Sequence, residues 1–436
     1  MPVEITERVS ENGARLLSAP MRGTPSFAIF LSLRVGSRDD PEESSGLAHL
    51  LEHLAFKGTA TRPTAADVAR DLDRVGADFN AFTGREWMSF YVRCASEDAA
   101  VAIEVLFDMV VSSTFSVESV EREKSVVSEE LRVNSADLRG RVDDLMHSVM
   151  FAGSGLARPV GGTVADVRRI ERPAVVQFVE KTFRADNVVV GLAGTFTCHD
   201  EDRAFSLLAG IPSAPRTPAR VVARDRHRSH GEVEIVGEHV DSELVHMAYS
   251  MAGWEASNEN RYAVGLLHTI LGGGLGSRLF RSLREQRAWS YYVGADHATY
   301  RDSGTLNVRV AVQPGRVLET IEVITKELAD AVREIHDDEL ERAARYARGR
   351  LLLGVSDPRG MLLFLLRRAC TDGAWEDPWS VGESLMKVTR TGVIDALEQA
   401  LCRPPTVFLV GSELPREVVS ASDARGAQVS GSTRLR

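Results

Sequence analysis

The stretch GLAHLLEHLAFKGT, Gly46–Thr59, decides how the rest of the chain is read. Leu and Ala are good helix formers, and Leu47, Leu51 and Leu54 recur at helical spacing, which predicts a short amphipathic helix. On such a helix His49 and His53 stand one turn apart on the same face, where both imidazoles reach a single ion. Glu52 lies three residues after His49 and one before His53, so its carboxylate falls near that face. Two neutral nitrogens beside a carboxylate suit Zn2+ together with an activated water. The pattern is H-x-x-E-H, the inverse of the commoner H-E-x-x-H zinc-peptidase motif.

A two-histidine site needs a third ligand, and an acidic residue on a neighbouring helix is the usual solution. VESVEREKSVVSEEL, 117–131, predicts such a helix, with Glu123 and Glu130 seven residues apart and therefore on one face. Glu130 is the preferred ligand and Glu129 stays open as the alternative. The same acids could equally form a solvated face with Arg122, Lys124 and Arg132.

At 436 residues the chain exceeds one ordinary core, and its 44% hydrophobic and 26% charged residues are those of a globular protein. A net charge of −10 argues against nucleic acid as the main partner and leaves basic peptides as ligands. Cys94, Cys198, Cys370 and Cys402 form no C-x-x-C pair, so each is expected to be a small buried hydrophobe rather than part of a disulfide or zinc site. The first twenty residues hold acids and no apolar core segment, and no run approaches 18 apolar residues. Neither a secretory signal nor a membrane span is therefore expected, and the cytoplasm is the default location.

Outward from the motif, Phe27 to Val35 is an apolar run that predicts a buried strand, and Pro41 with Ser44 and Ser45 marks the helix start. Residues 64–75 predict a helix, residues 79–92 a hairpin broken at Gly84, and residues 99–111 another helix. A helix at 173–182 and a strand at 188–194 close the first half. The Pro, Arg and Ser-rich stretch around residues 216–231, with His227 and His230, reads as a linker. The second half restarts with a strand at 244–252 and a helix at 261–271, and ends in a strand at 406–411. Gly36 and Gly253 end corresponding strands, as do Gly194 and Gly411, and both pairs are offset by 217 residues (253 − 36 and 411 − 194). One constant offset points to two copies of one fold. The motif's place in the second copy holds a lone His268, expected to be a packing residue. Gly272, Gly273 and Gly274 allow left-handed or tight backbone ahead of a basic helix, suited to a flexible loop or an anchor for a peptide carboxylate.

Together these residues resemble the pitrilysin family of inverted-motif zinc peptidases, which includes insulin-degrading enzyme and the mitochondrial processing peptidase. The resemblance runs to about residue 415. It implies an α+β chain of two homologous domains, each a mainly antiparallel sheet packed against helices, of LuxS/metallohydrolase-like type. The domains are expected at 1–215 and 232–415, with a disordered tail at 416–436. Glu130 follows His53 at a spacing similar to the family's third ligand, which favours it over Glu129, and Glu123 matches a second acid that supports the site. By the same resemblance one Zn2+ per chain is held by His49, His53 and Glu130, and Glu52 is the general base. Asn80, Ala81, Phe82 and Thr83 resemble the edge segment that holds substrate backbone, while Arg284 and Tyr291 match the pair that reaches substrate from the half without metal. Ala288, Trp289 and Ser290 replace the smaller residues usual before that tyrosine. The family pattern implies a homodimer enclosing a chamber for short or unfolded peptides. The alternatives are a subunit of a heterodimer and a non-catalytic structural homologue.

Overall fold

The structure, a computed structural model, describes residues 3–213, 233–416 and 418–420. The expected linker 216–231 lies outside them. The described residues form two units, each built on a six-stranded sheet. The first sheet contains β1 (Thr6–Val9), β2 (Arg15–Pro20), β3 (Ser26–Leu33), β4 (Asp78–Thr83), β5 (Met88–Ala95) and β6 (Val188–Gly194), in the order β1-β2-β6-β3-β5-β4. Only the β2–β6 pairing is parallel. The continuous apolar runs land in the middle of the sheet: β6 is buried along its whole length and β3 at all but its first residue. A strand covered on both faces has that composition.

The second sheet contains β7 (Glu234–His239), β8 (Val245–Ala252), β9 (Val293–Thr299), β10 (Gly304–Val312), β11 (Thr406–Gly411) and β12 (Val419–Ser420), in the order β12-β7-β11-β8-β10-β9. Its β7-β11-β8-β10-β9 run repeats β2-β6-β3-β5-β4 strand for strand, including the parallel first pair. The duplication read from the 217-residue offset is thus a duplication of topology. The chain is α+β with two copies of one fold.

The packing does not follow the linear division at residues 1–215 and 232–415. Among the described residues, the first unit comprises 3–133, 154–213 and 352–379; the second comprises 134–153, 233–351, 380–416 and 418–420. Each half therefore lends the other a helix. Helix Pro358–Thr371 lies on β6 and β3 of the first unit. Gly191 permits this, since a Cβ there would stand 2.7 Å from Leu362 Cδ2. Conversely, Val142, Leu145 and Met146 of helix Leu138–Met150 pack with Val236, Ala248, Phe408 and Val410 of the second unit. Neither strand pattern nor spacing reveals which sheet receives each helix.

Three smaller expectations are corrected. Val419 and Ser420, placed in a disordered tail, pair in parallel with Val236 and Gly237. Cys198 and Cys402 are exposed rather than buried, because they sit at the first turn of one helix and just past the end of another; Cys94 and Cys370 are buried. No glycine of 272–274 has a positive φ. Gly272 is small for a different reason: a Cβ would collide with the backbone of Gly294 and Ala295 on β9. The basic stretch beyond them is wound as a π-helix over Phe280–Glu285.

Candidate metal centre

Helix α1 (Leu47–Leu54) carries the motif and is only eight residues long, too short to be stable alone. Packing holds it: Leu47, Ala48, Leu50, Leu51 and Leu54 are buried against the sheet, leaving His49, Glu52 and His53 half-buried on the other side. Its first turn is fixed from outside the helix. The Asp40 carboxylate accepts the N–H groups of Gly46 (2.8 Å) and Ala48 (2.9 Å), so the expected cap residues Ser44 and Ser45 are not used. Gly46 has φ +89°, and a Cβ there would strike the Gly161 carbonyl. Arg158 donates to the Asp40 carbonyl at 2.7 Å, which ties that turn to the loop after residue 153. Burial pushes the Asp40 carboxyl up to about 7 despite these donors.

After α2 (Ala65–Asp73) and α3 (Ala99–Val111), α4 (Val117–Asn134) supplies the acids. Glu123 and Glu130 share the face turned to α1, as their seven-residue spacing requires. Glu130 Oε1 lies 3.8 Å from His49 Nε2 and its Oε2 lies 3.3 Å from His53 Nε2. Ligand atoms of His49, His53 and Glu130 all fall within 4.8 Å of one another. Glu129 points elsewhere, paired with Arg132 at 2.7 Å on the solvent side. Glu123 is 2% exposed, and its Oε2 lies 3.5 Å from His53 Nδ1, the ring nitrogen turned away from Glu130.

Electrostatics suit this set to a cation. Burial, and next the neighbouring His53, holds His49 below the usual imidazole range, so its ring is neutral. Two imidazole nitrogens and a carboxylate converge within 4.8 Å, a donor set that fits a divalent ion. Their chemistry, two nitrogens and one oxygen, is that of a catalytic zinc site with an open position. Glu130 is 39% exposed, which leaves that position accessible.

Glu52 stands beside this group, and burial raises its carboxyl above the ordinary range. Thr83 Oγ1 donates to Glu52 Oε2 at 2.6 Å. Thr83 ends β4, the free edge of the first sheet, which also carries Asn80, Ala81 and Phe82. Asn80 Oδ1 accepts the Ala81 N–H at 2.8 Å, and the Phe82 ring meets Trp87 edge-on with centroids 4.7 Å apart. Arg284 and Tyr291 lie in the second unit and touch each other. Arg284 Nη1 donates to the Tyr291 carbonyl at 3.0 Å, and its guanidinium lies 4.7 Å from the Tyr291 ring centroid and 4.9 Å from that of Phe280. The Tyr291 side chain is 86% exposed. His268 is half-buried within its helix.

Sequence reasoning overlooked two partners of the site. Lys57 Nζ lies 3.0 Å from Glu123 Oε1, and Asp40 caps α1 from seven residues before its start. Lys57 stood in the motif stretch itself, one turn beyond His53, and that spacing was a usable signal. Asp40 offered none, since its role depends on the loop's path.

The model of the insulinase family, peptidase family M16, matches residues 15–164, and that of the peptidase M16 inactive domain matches residues 169–346. The chain belongs to peptidase family M16. An uncharacterized zinc protease of Streptomyces coelicolor is 31% identical over 94% of this chain and 90% of its own length. The uncharacterized zinc protease YmxG of Bacillus subtilis is 29% identical over 79% of this chain and 83% of its own. Among solved structures, a peptidase M16 inactive domain from Pseudomonas fluorescens superposes with a TM-score of 0.83 at 19% identity, covering 94% of this chain and 98% of that one. A protease from Helicobacter pylori does so with the same TM-score at 15% identity, covering 94% and 100%. Both structural likenesses bear on the M16 fold. Among the described residues, no helix is long and apolar enough to cross a membrane.

Proposed function

We propose that this M16 chain is a zinc-dependent endopeptidase that hydrolyses short or unfolded peptides. One observation carries the reading: the ligand atoms of His49, His53 and Glu130 converge within 4.8 Å, with Glu52 on the helix that carries both histidines. The zinc-protease designation of the relatives in Streptomyces and Bacillus agrees with it.

His49 and His53 would hold one zinc ion per chain through Nε2, with Glu130 as the third ligand. When bound, zinc supplies Lewis acidity toward the scissile carbonyl and makes water acidic enough to lose a proton near neutral pH. Glu52 takes the proton of the attacking water and passes it to the leaving amine. Glu123 keeps the His53 ring oriented through Nδ1, so that Nε2 faces the metal. Substrate backbone adds to the free edge of β4 at Asn80–Thr83, which grips peptides with little side-chain preference. Arg284 and Tyr291 are assigned to substrate contact by the resemblance to the family. A chain carrying both the metal set and this pair needs no differently equipped partner, which supports a homodimer enclosing the reaction chamber. Cytoplasmic peptide clearance or maturation is the corresponding role.

Cleavage of an internally quenched peptide by the purified chain tests the reading, with and without a zinc chelator, beside Glu52→Gln. Chelator-sensitive cleavage is expected. Loss of the general base is expected to cost about 100-fold or more in kcat while zinc stays bound. A zinc-loaded wild type that cleaves no peptide, alone or mixed with a related chain, overturns it.

A further inference from the structure

We propose that Thr83 is a positioning residue for Glu52, an inference that rests on the peptidase reading above and assigns Thr83 a task other than holding substrate. Side chains alternate along a strand, so Phe79, Ala81 and Thr83 share one face of β4 while Asn80 and Phe82 share the other. The Phe79 face is turned to the core beneath α1. Ala81 is buried, and the Phe79 ring lies 6.1 Å from that of Phe56 just beyond the motif helix. Thr83 continues that face to its end, where its hydroxyl meets Glu52 Oε2 at 2.6 Å. Among the described residues this is the one hydrogen bond that the Glu52 side chain makes.

A hydroxyl has a single proton to donate. Given to Oε2, it fixes the plane of the carboxylate and leaves Oε1 free to accept a proton from water. Thr83 is suited to this because a β-branched side chain is stiff about χ1, and because antiparallel pairing with Met88 on β5 holds its backbone. The strand proposed to receive substrate is thereby tied to the group that activates water. Peptide backbone is bound by main-chain groups of β4, which leaves the Thr83 hydroxyl to the base alone.

The test compares zinc-loaded wild type, Thr83→Val and Thr83→Ser as full chains, measuring kcat and KM on the quenched peptide and the structure around Glu52 in crystals. Valine keeps the shape and β-propensity of threonine and removes the hydroxyl. The expected result is a loss of about tenfold in kcat for Thr83→Val, the weight of one hydrogen bond to a charged group. KM and zinc content are expected to stay within twofold of wild type, and Thr83→Ser to recover most of kcat. In the crystals the Glu52 carboxylate should keep its orientation in wild type and Thr83→Ser and rotate or disorder in Thr83→Val. A raised KM with unchanged kcat overturns the proposal in favour of substrate binding, and a Thr83→Val enzyme equal to wild type overturns it outright. Should wild type cleave no peptide, the peptidase reading falls by itself, and the orientation of Glu52 in Thr83→Val still decides the role of Thr83.

Discussion

Lys57 Nζ lies 3.0 Å from Glu123 Oε1, and the same carboxylate turns its other oxygen to His53 Nδ1. Lys57 thus sets the charge balance around the metal centre. It brings one positive charge to a cluster that holds three carboxyl groups, Glu52, Glu123 and Glu130. Because Glu123 is 2% exposed, removing Lys57 leaves a buried carboxylate without its lysine partner. Lys57→Met is expected to cost about 1–3 kcal/mol in urea unfolding of the metal-free chain. Pairing it with Glu123→Gln should return part of that loss, a coupling that two independent sites do not show. Glu123→Gln alone is expected to weaken zinc binding about 10–100-fold in a chelator competition, by freeing the His53 ring.

Glu130 and Glu129 are adjacent in sequence and separated by function. The former faces His49 and His53, while the latter pairs with Arg132 at 2.7 Å with both side chains at least half exposed. Glu130→Gln is expected to leave purified protein without stoichiometric zinc by elemental analysis. Glu129→Gln should retain it, with stability within about 0.5 kcal/mol of wild type. The reverse result reassigns the third ligand.

Asp40 gives the motif helix a pH dependence of its own. Its carboxyl titrates near pH 7 in the folded chain, against 3.8 as the ordinary value, because burial disfavours the charge more than Gly46, Ala48 and Arg158 favour it. Between those two values the folded state holds a proton that the unfolded chain has released, so the slope of stability with pH is negative there. The contribution is complete below about pH 4 and lost as pH rises through about 7, with roughly 4 kcal/mol as the upper bound. Unfolding free energies of wild type and Asp40→Asn, measured from pH 4 to pH 8, should therefore draw together or cross as pH rises. A constant difference rules out titration of Asp40 in this range.

Periodicity made legible whatever depends on local order. The motif helix, the β4–β5 hairpin, the buried strands β3 and β6 and the facing pair Glu123 and Glu130 all follow from spacing, since a helix or strand sets which side chains share a face. The 217-residue offset carried the duplication because both copies keep glycine where their strands end. What stayed hidden depends on the path of the chain through space. Asp40 caps a helix that it does not belong to, and Thr83 meets Glu52 across 31 residues. The exchange of helices between the units was invisible for the same reason: an apolar stripe states that a helix is covered, not by which sheet.

That exchange yields the last prediction. Helix Pro358–Thr371 closes one face of the first sheet at Gly191, and strand pairing places Phe30 and Leu17 level with Gly191 on that face. Both side chains are 0% exposed. A fragment of residues 1–215 keeps the whole metal site yet bares this face, and each large apolar side chain left in water costs about 1.5–3 kcal/mol. Against a typical total stability of about 5–15 kcal/mol, two or three such exposures are enough to unfold most of the population. The fragment is expected to aggregate or to lose near-ultraviolet circular dichroism. A fragment extended by a flexible tether to residues 352–379 should recover a cooperative urea transition. In the full chain, Gly191→Val is expected to cost about 1–3 kcal/mol by forcing a side chain against Leu362 and Leu366. A well-folded 1–215 fragment with native-like stability would mean that the helix is an accessory to the first unit rather than part of its core.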